Sequence, residues 1–312
     1  MNYIFGDQKK GSYASVSDPN SADLTWETVS TWNVGLDLGF LNNRLNLTAD
    51  AYVRDTKGMQ TSGKKLPGAY GANEPKQNAA NLRTKGWELM LTWNDAFKLA
   101  NKPFRYNLSV GLADNTSEIT KFDNPSKILS DYYVGQKLGD IWGYVVDGLF
   151  RTDEEAANYN VDQTAVNFVI NTAQVNPGLH AGDMKFVDLD GDHTISSGSN
   201  TADDPGDRKI IGNSLPRYTY SIQGGFDWYG FDFSIYLQGV GHQDWYPGTN
   251  SVFFWGPYAR PYSSFIPRDF LSQVWSPENP DAYFPRPIGY LALGNNRSLG
   301  AVSYTHLTLP TT

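Results

Sequence analysis

The sequence from Arg217 to Gly239 reads RYTYSIQGGFDWYGFDFSIYLQG. Its first arm places apolar side chains on one face of a strand, with Gly224 as the only gap: Tyr218, Tyr220, Ile222, Phe226 and Trp228. Its second arm repeats the pattern after Tyr229 and Gly230, with Phe231, Phe233, Ile235 and Leu237. Strict alternation on both arms of a tight connection predicts a β-hairpin. Each arm has about ten residues, the length that a tilted strand needs to cross a bilayer.

Two further stretches of the chain repeat this design. The first alternates over 32–40 and 45–53 around a short turn at Asn42 and Asn43, and the second over 87–93 and 106–112 around a turn through Asn101, Lys102 and Pro103. Long segments lie outside the hairpins: a polar loop at about 55–80, a longer excursion at about 116–216 and an aromatic-rich loop at about 241–285. Short turns at one end and long loops at the other are typical of outer-membrane barrels. We therefore predict an all-β fold, an antiparallel transmembrane β-barrel with short periplasmic turns and long extracellular loops.

The composition agrees with a β-rich and turn-rich protein. Of the 312 residues 14% are aromatic, with 30 glycines, 17 prolines and no cysteine. No apolar run approaches the ~18 residues of a membrane-spanning helix, which leaves strands as the means of crossing a bilayer. The formal net charge of −8 argues against binding to nucleic acid. The lack of cysteine fits a bacterial envelope protein, although many cytosolic proteins also lack it.

Eight short motifs carry a resemblance to a known family. They are LTWE at 24–27, GFLNNRL at 39–45, NAANLRTKGWEL at 78–89, IWGY at 141–144 with DGLF at 147–150, GDMKF at 182–186 with DLDGD at 188–192, DRKIIGN at 207–213, PRYTY at 216–220 and WSPENPDA at 275–282. Their order and spacing over about residues 18–298 resemble the SusC/RagA-type TonB-dependent outer-membrane transporters of Bacteroidetes.

The resemblance implies a location, a mechanism and partners. It implies a 22-stranded barrel in the cell outer membrane, in contact with outer-membrane lipid and closed by an N-terminal plug. Such transporters import oligosaccharides or peptides, driven by the TonB complex, and a SusD-like surface lipoprotein covers the barrel. Residues 1–301 resemble the later part of the barrel, without the plug, the TonB-contacting segment and the final strands. The last residues, 302–312, read VSYTHLTLPTT and are predicted to be a non-native tail.

An acidic segment predicts a metal site. Residues 188–192 read DLDGD, with carboxylates at the alternate positions that open a calcium loop. Position 6 of such a loop is His193 instead of glycine and position 12 is Ser199 instead of glutamate, but a later aspartate between 203 and 207 could complete the ligand shell. A bound Ca2+ would order the loop 188–207, and the alternative is a solvated Asp/Gly turn. The candidate ligands are Asp188, Asp190, Asp192 and Asp207.

An aromatic-rich loop from Gln243 to Phe265 is a candidate for substrate binding. Exposed aromatic faces stack on sugar rings and contact apolar peptide side chains. The candidate residues are Trp245, Tyr246, Phe254, Trp255 and Tyr258. Packing within the loop and contact with a partner protein are the alternative roles.

Two other functions compete with transport. One is a soluble, secreted carbohydrate-binding β-sandwich with a calcium-ordered loop, because a sandwich strand also alternates. The other is an envelope glycosidase, which needs a paired acid and nucleophile that the sequence does not show. The acidic run after Thr152 fits the capped start of a short helix better than acid-base chemistry, and the four histidines lack ligand spacing. We therefore predict no catalytic residues and no enzyme activity.

Overall fold

The computed structural model describes residues 3–4, 10–11, 21, 24–62, 73–166, 178–246 and 266–286. It contains twelve strands and two short helices in these ranges, which confirms the predicted all-β fold. The elements are β1 (Tyr3–Ile4), β2 (Lys10–Gly11), β3 (Thr28–Phe40), β4 (Leu45–Ser62), β5 (Lys76–Leu99), β6 (Lys102–Lys121), β7 (Asp140–Tyr144), β8 (Val146–Leu149), α1 (Asp153–Ala157), β9 (Met184–Phe186), β10 (Arg208–Asn213), β11 (Arg217–Trp228), β12 (Phe231–His242) and α2 (Phe270–Gln273). The predicted tail at 302–312 lies outside the described residues.

The long strands form one antiparallel sheet in the order β12-β11-β6-β5-β4-β3. All three predicted hairpins are present, as β3-β4, β5-β6 and β11-β12. The loop before β11 is long, yet β11 returns to pair with β6, so the sheet continues across the insertion. The sheet is open at β3 and β12 in the part of the chain described, since each of these strands pairs on one side only.

Tight turns connect the hairpins at one end of the sheet. Tyr229 and Gly230 have φ values of 52° and 86° and join Trp228 to Phe231, as a two-residue turn requires. The turn between β5 and β6 consists of Ala100 and Asn101, with φ values of 49° and 62°. The predicted turn through Asn101, Lys102 and Pro103 was therefore correct at Asn101 and wrong at Lys102 and Pro103, which begin β6. Ala100 carries no sequence signal for a positive φ, so the hairpin register determines its conformation.

The strands extend further than the alternation predicts. β4 continues to Ser62, β5 begins at Lys76 and β6 ends at Lys121, so much of the predicted loop at 55–80 and the start of the loop at 116–216 are strand. Most side chains in these extensions are polar, with Ala80 and Ile119 among the buried exceptions, and the apolar period is lost although the ladder of backbone hydrogen bonds continues. Alternation of apolar side chains identifies a strand that has one apolar and one polar face. It gives no signal where most side chains on both faces are polar.

The register sorts the side chains by polarity. One row across all six strands is apolar: Leu38, Leu47, Leu91, Val110, Ile222 and Leu237. The adjacent row points to the other face: Asp37, Thr48, Met90, Gly111, Ser221 and Gln238. Two open cavities of 710 and 810 Å³ are lined mainly by the polar face. The sheet therefore curves with its polar face inward, as in a barrel wall.

The long insertions fold at the other end of the sheet. β7 pairs with β10, β8 pairs with β9, and both pairings are antiparallel. A small apolar core lies among them and reaches the segment 266–286: Val166, Met184, Phe186, Ile195, Phe270, Val274 and Phe284. We call the described parts of 122–216 and 266–286 the loop unit. In the described ranges, neither helix has the length and apolar character needed to cross a membrane.

Candidate functional site

The concave face of the sheet is a polar wall. Thr48 donates to Asp37 over 2.7 Å, and the hydroxyl pairs Thr92–Ser109 and Thr84–Ser117 lie 3.1 and 2.7 Å apart. Asp50 lies opposite Glu88 on this face. Hydroxyl and carboxylate groups that neighbouring strands hold in rows suit a surface in contact with water or polar solutes, as in the interior of a membrane barrel.

The convex face is apolar and exposed. Leu36 is 53% exposed, Leu91 42% and Ile235 45%, although each lies in the middle of a strand. No second sheet covers this face within the described ranges. In a soluble sandwich these side chains would be buried against a second sheet. Their exposure therefore fits a face that contacts lipid.

Aromatic side chains border the apolar face at the turn end. Phe97 and Phe104 have ring centroids 5.0 Å apart, and Phe104 and Phe226 stack at 5.4 Å, as do Phe226 and Phe233. Trp228 follows on the same face and donates its indole N–H to the carbonyl of Leu99 over 3.2 Å. Such a row corresponds to the aromatic girdle at a membrane interface.

The loop unit depends on contacts between two distant segments. Asp183 is almost buried and accepts two hydrogen bonds from Arg286, at 2.6 Å from Nε and 3.1 Å from Nη2. The backbone N–H of Arg286 also donates to Gly182 over 2.9 Å. Gly182 has a φ of 84°, and a Cβ there would approach the Trp275 ring to 2.6 Å. The motifs GDMKF and WSPENPDA therefore meet in space, a contact that no sequence period indicates.

The predicted helix cap is present at α1. The Thr152 hydroxyl accepts the N–H of Glu155 over 3.1 Å, and Glu155 accepts the N–H of Arg151 over 2.8 Å. That backbone donor, together with Lys185 at 3.1 Å, holds the pKa of Glu155 below its usual range against the effect of desolvation. Glu155 therefore has structural partners, and Thr152 caps the helix as predicted.

Three of the four predicted metal ligands lie together. Oxygens of Asp188, Asp190 and Asp207 are all within 4.8 Å of one another. Asp207 is fully buried and accepts the N–H groups of Leu189 and Ser196, both at 2.7 Å. Asp192 lies outside this group, and its carboxylate accepts the N–H of Thr194 over 2.7 Å. Carboxylate oxygens at this spacing suit a hard cation such as Ca2+, and calcium binding stays a prediction.

The carboxylates of this cluster influence each other's protonation. The N–H of Asp192 lowers the pKa of Asp190, but desolvation and the charges of Asp207, Asp192 and Asp188 outweigh it and hold this pKa above its usual value. For Asp188, desolvation is outweighed by the N–H donors of Gly191 and His193, so its pKa lies below the usual value. Asp190 is thus the carboxylate that mutual repulsion disfavours, and a bound cation would relieve that repulsion.

The predicted aromatic site is described only in part. Trp245 and Tyr246 come three and four residues after the end of β12, at the loop end of the sheet, and are 44% and 37% exposed. Phe254, Trp255 and Tyr258 lie outside the described residues. Asp244, just before this pair, accepts the N–H of Asn213 over 2.7 Å and ties the start of the aromatic loop to β10.

Comparison with known proteins agrees with this architecture. The family described as TonB dependent receptor-like, beta-barrel matches residues 1–265. The chain belongs to the TonB-dependent receptor β-barrel family. This family is a class of receptors and not a class of enzymes, and the resemblance to SusC/RagA-type members is confirmed.

Individual TonB-dependent receptors are similar to this chain in sequence, and a solved structure is similar in fold. TonB-dependent receptor SusC of Bacteroides thetaiotaomicron is 31% identical over 76% of this chain and 21% of its own length. TonB-dependent receptor P39 of Formosa agariphila is 28% identical over 69% of this chain and 22% of its own. A solved structure of the RagAB peptide transporter matches 92% of this chain and 28% of its own, with a TM-score of 0.59 at 18% identity, which shows a shared fold. The chain thus spans about a fifth of the length of these curated relatives.

Proposed function

We propose that this chain is part of a TonB-dependent importer of oligosaccharides or peptides in the outer membrane of a Bacteroidetes-like bacterium. The observation that carries the proposal is the curved sheet, which is polar inside, apolar outside, and joined by short turns at one end and long loops at the other. Family membership adds dependence on TonB, which would act through a part of the protein outside this chain. The relatives named SusC and RagAB support nutrient import, and RagAB is described as a peptide transporter.

The loop unit and the aromatic pair Trp245 and Tyr246 are the parts of this chain that we propose to meet partner and substrate. Both lie at the loop end, which faces outward in outer-membrane barrels. A SusD-like lipoprotein on the cell surface would contact this unit, and Trp245 and Tyr246 would contact the substrate as it enters. Asp188, Asp190 and Asp207 would hold a Ca2+ that orders the unit. The soluble sandwich is disfavoured by the bare apolar face.

Growth experiments test the import function. We expect that deletion of the complete gene from its source bacterium abolishes growth on one class of nutrient, either oligosaccharides or peptides. Deletion of TonB should reproduce the defect, because uptake through these receptors requires it. Normal growth on both nutrient classes after deletion of the gene would contradict the proposal. So would normal growth on the affected nutrient after deletion of TonB.

Paired substitutions test the two faces of the sheet. In the complete protein, we expect Ile235→Arg to lower the folded yield in lipid vesicles, since a charged side chain near the bilayer midplane costs about 2–4 kcal/mol. Ser234→Arg is the matched control: it lies next along β12, at nearly the same depth but on the polar face. Folded yield is measured from the mobility of unheated barrels in gel electrophoresis. Equal losses for the two variants would refute the assignment of the faces.

A further inference from the structure

Three basic side chains lie on the convex face just beyond its apolar band, at the loop end. Alternation places Lys85 two residues beyond Trp87 on β5, and Arg83 two residues further. On the neighbouring strand β4, Lys57 follows Val53 and Asp55 on the same face, in unbroken register with β3. Lys57, Arg83 and Lys85 are all exposed, and we call them the basic patch.

Two acidic neighbours offset part of this positive charge and leave the patch with a net charge of +1. Arg83 donates to Asp55 from Nε over 2.7 Å and from Nη2 over 3.0 Å, which holds its guanidinium on the convex face. Glu118 lies opposite Arg83 on β6. In the described part of the chain, neither Lys57 nor Lys85 forms an ion pair. The basic patch therefore carries three cations beside two carboxylates.

Arg217 also lies near the end of the apolar band, but its charge is neutralised within the protein. Arg217 of β11 holds Asp114 of β6 in a two-pronged ion pair, with both contacts at 2.6 Å. Asp114 is almost buried, so this arginine is committed to a partner within the protein. The lysines of the basic patch have no comparable partner in the described ranges, and they face away from the sheet.

The depth of the patch matches a lipid headgroup layer. Two residues of strand rise by about 7 Å, and the usual strand tilt reduces this to roughly 5 Å along the membrane normal. Lys85 and Arg83 then lie about 5 and 10 Å beyond Trp87. The headgroup layer on each side of the hydrocarbon core is about 5–8 Å thick, and long basic side chains bend to reach it.

We propose that Lys57, Arg83 and Lys85 bind phosphate groups on lipid headgroups of the outer leaflet. The inference rests on the proposed membrane location and orientation. A lipid is favoured over a free anion because the patch lies on a convex surface, with no enclosing pocket, directly beside the side chains that would contact acyl chains. Basic residues beside an apolar segment are attracted to anionic headgroups by about 1 kcal/mol each, which is roughly a fivefold change in affinity.

Lipid retention by the complete protein tests this proposal. The protein is reconstituted in galactolipid vesicles that contain either phosphorylated lipid A or its dephosphorylated form. It is then extracted in mild detergent, and the lipid A that remains bound is measured by mass spectrometry. The variant Lys57→Gln/Arg83→Gln/Lys85→Gln should retain at least about tenfold less phosphorylated lipid A than the natural protein. The single variant Lys85→Gln should lose about fivefold and leaves the Arg83–Asp55 pair intact.

A control with the same change in charge isolates the position of the patch. Arg54 of β4, Lys98 of β5 and Arg105 of β6 lie on the polar face, and their combined replacement by Gln should leave retention unchanged. Equal retention of dephosphorylated lipid A, or an equal loss in this control, would overturn the proposal. Gel mobility of the unheated barrel is recorded for every variant. Failure of the natural protein to insert would instead count against the proposed membrane location.

Discussion

The pair of Asp183 and Arg286 shows how single residues hold the loop unit together. The Asp183 side chain is 6% exposed and that of Arg286 25%, whereas Arg151 and Asp281, 2.5 Å apart, are 64% and 75% exposed. Both pairs join the same two segments. The buried pair should contribute more to stability than the exposed pair. A buried carboxylate that loses its arginine has neither an ion pair nor water to solvate its charge.

Substitution at these two arginines should therefore have unequal effects. Arg286→Gln should lower the free energy of local unfolding of the loop unit by about 3 kcal/mol, since it leaves the Asp183 carboxylate buried and unpaired. Arg151→Gln, the exposed counterpart, should cost under about 1 kcal/mol. Hydrogen exchange of residues 182–186 in the complete protein measures both values. Similar losses for the two variants would show that the segments are held by other contacts.

At the scale of an element, the acidic loop 188–207 is the part of the chain most sensitive to conditions. The carboxylates of Asp188 and Asp207 each accept two hydrogen bonds from backbone N–H groups. The carboxylate of Asp190 accepts one, from the N–H of Asp192 over 3.2 Å. The charge of Asp190 is thus the least compensated of the three. A cation should act chiefly by stabilising the ionised form of this residue.

Calcium should slow hydrogen exchange in the loop 188–207 of the complete protein. Asp190→Asn should abolish most of this protection, because it removes one of the three carboxylates that lie together. Asp192→Asn should have a smaller effect, since Asp192 lies outside the cluster. If Asp192→Asn were the more damaging substitution, the ligand set would follow the sequence spacing and not the geometry described above.

The contribution of Asp190 to the pH dependence of this loop should change sign when calcium is added. Without the cation, the raised pKa of Asp190 means that its contribution to stability is present below its unfolded pKa of about 3.9 and is lost as the pH rises through the folded pKa. With calcium bound, the ionised form is favoured and acid removes the stabilisation. The comparison uses protection factors corrected for intrinsic exchange, and the difference between the natural protein and Asp190→Asn isolates the contribution of Asp190.

At the scale of the whole molecule, the sheet has the curvature of a barrel wall but two open edges. β3 and β12 each present one side of their backbone without a partner in the described part of the chain. Bilayers do not tolerate unpaired strand edges, because the N–H and C=O groups there have no water to bind. The neighbouring strands of a complete barrel would satisfy them.

The 312-residue polypeptide expressed alone should therefore associate through these edges. Light scattering of the refolded chain in detergent should show oligomers and no stable monomer. Lysines introduced on the edge strand, as Tyr236→Lys and Gln238→Lys, should reduce association because edge charges oppose strand pairing. A refolded monomer that withstands heating would contradict the expectation of open edges.

Much of the sheet could be predicted from the sequence, because its determinants are local. A strand between lipid and a polar interior must alternate apolar and polar side chains, so residues such as Ile222 and Leu237 identify the apolar face. Tyr229-Gly230 and Asn42-Asn43 identify two of the turns. The polar extensions of β4, β5 and β6 and the Ala100 turn could not be predicted, because there the backbone ladder and not the side chains maintains the strand.

The sequence by itself determined the fold class, the direction of each face in the hairpins, the family and the acidic and aromatic candidates. Only the tertiary structure decided that β11 pairs with β6 across about a hundred residues, that Arg286 reaches Asp183, and that Asp207 and not Asp192 joins Asp188 and Asp190. The physical reason is range. Alternation and turn chemistry act within a few residues, whereas ion pairs and acidic clusters form between segments that only the folded chain brings together.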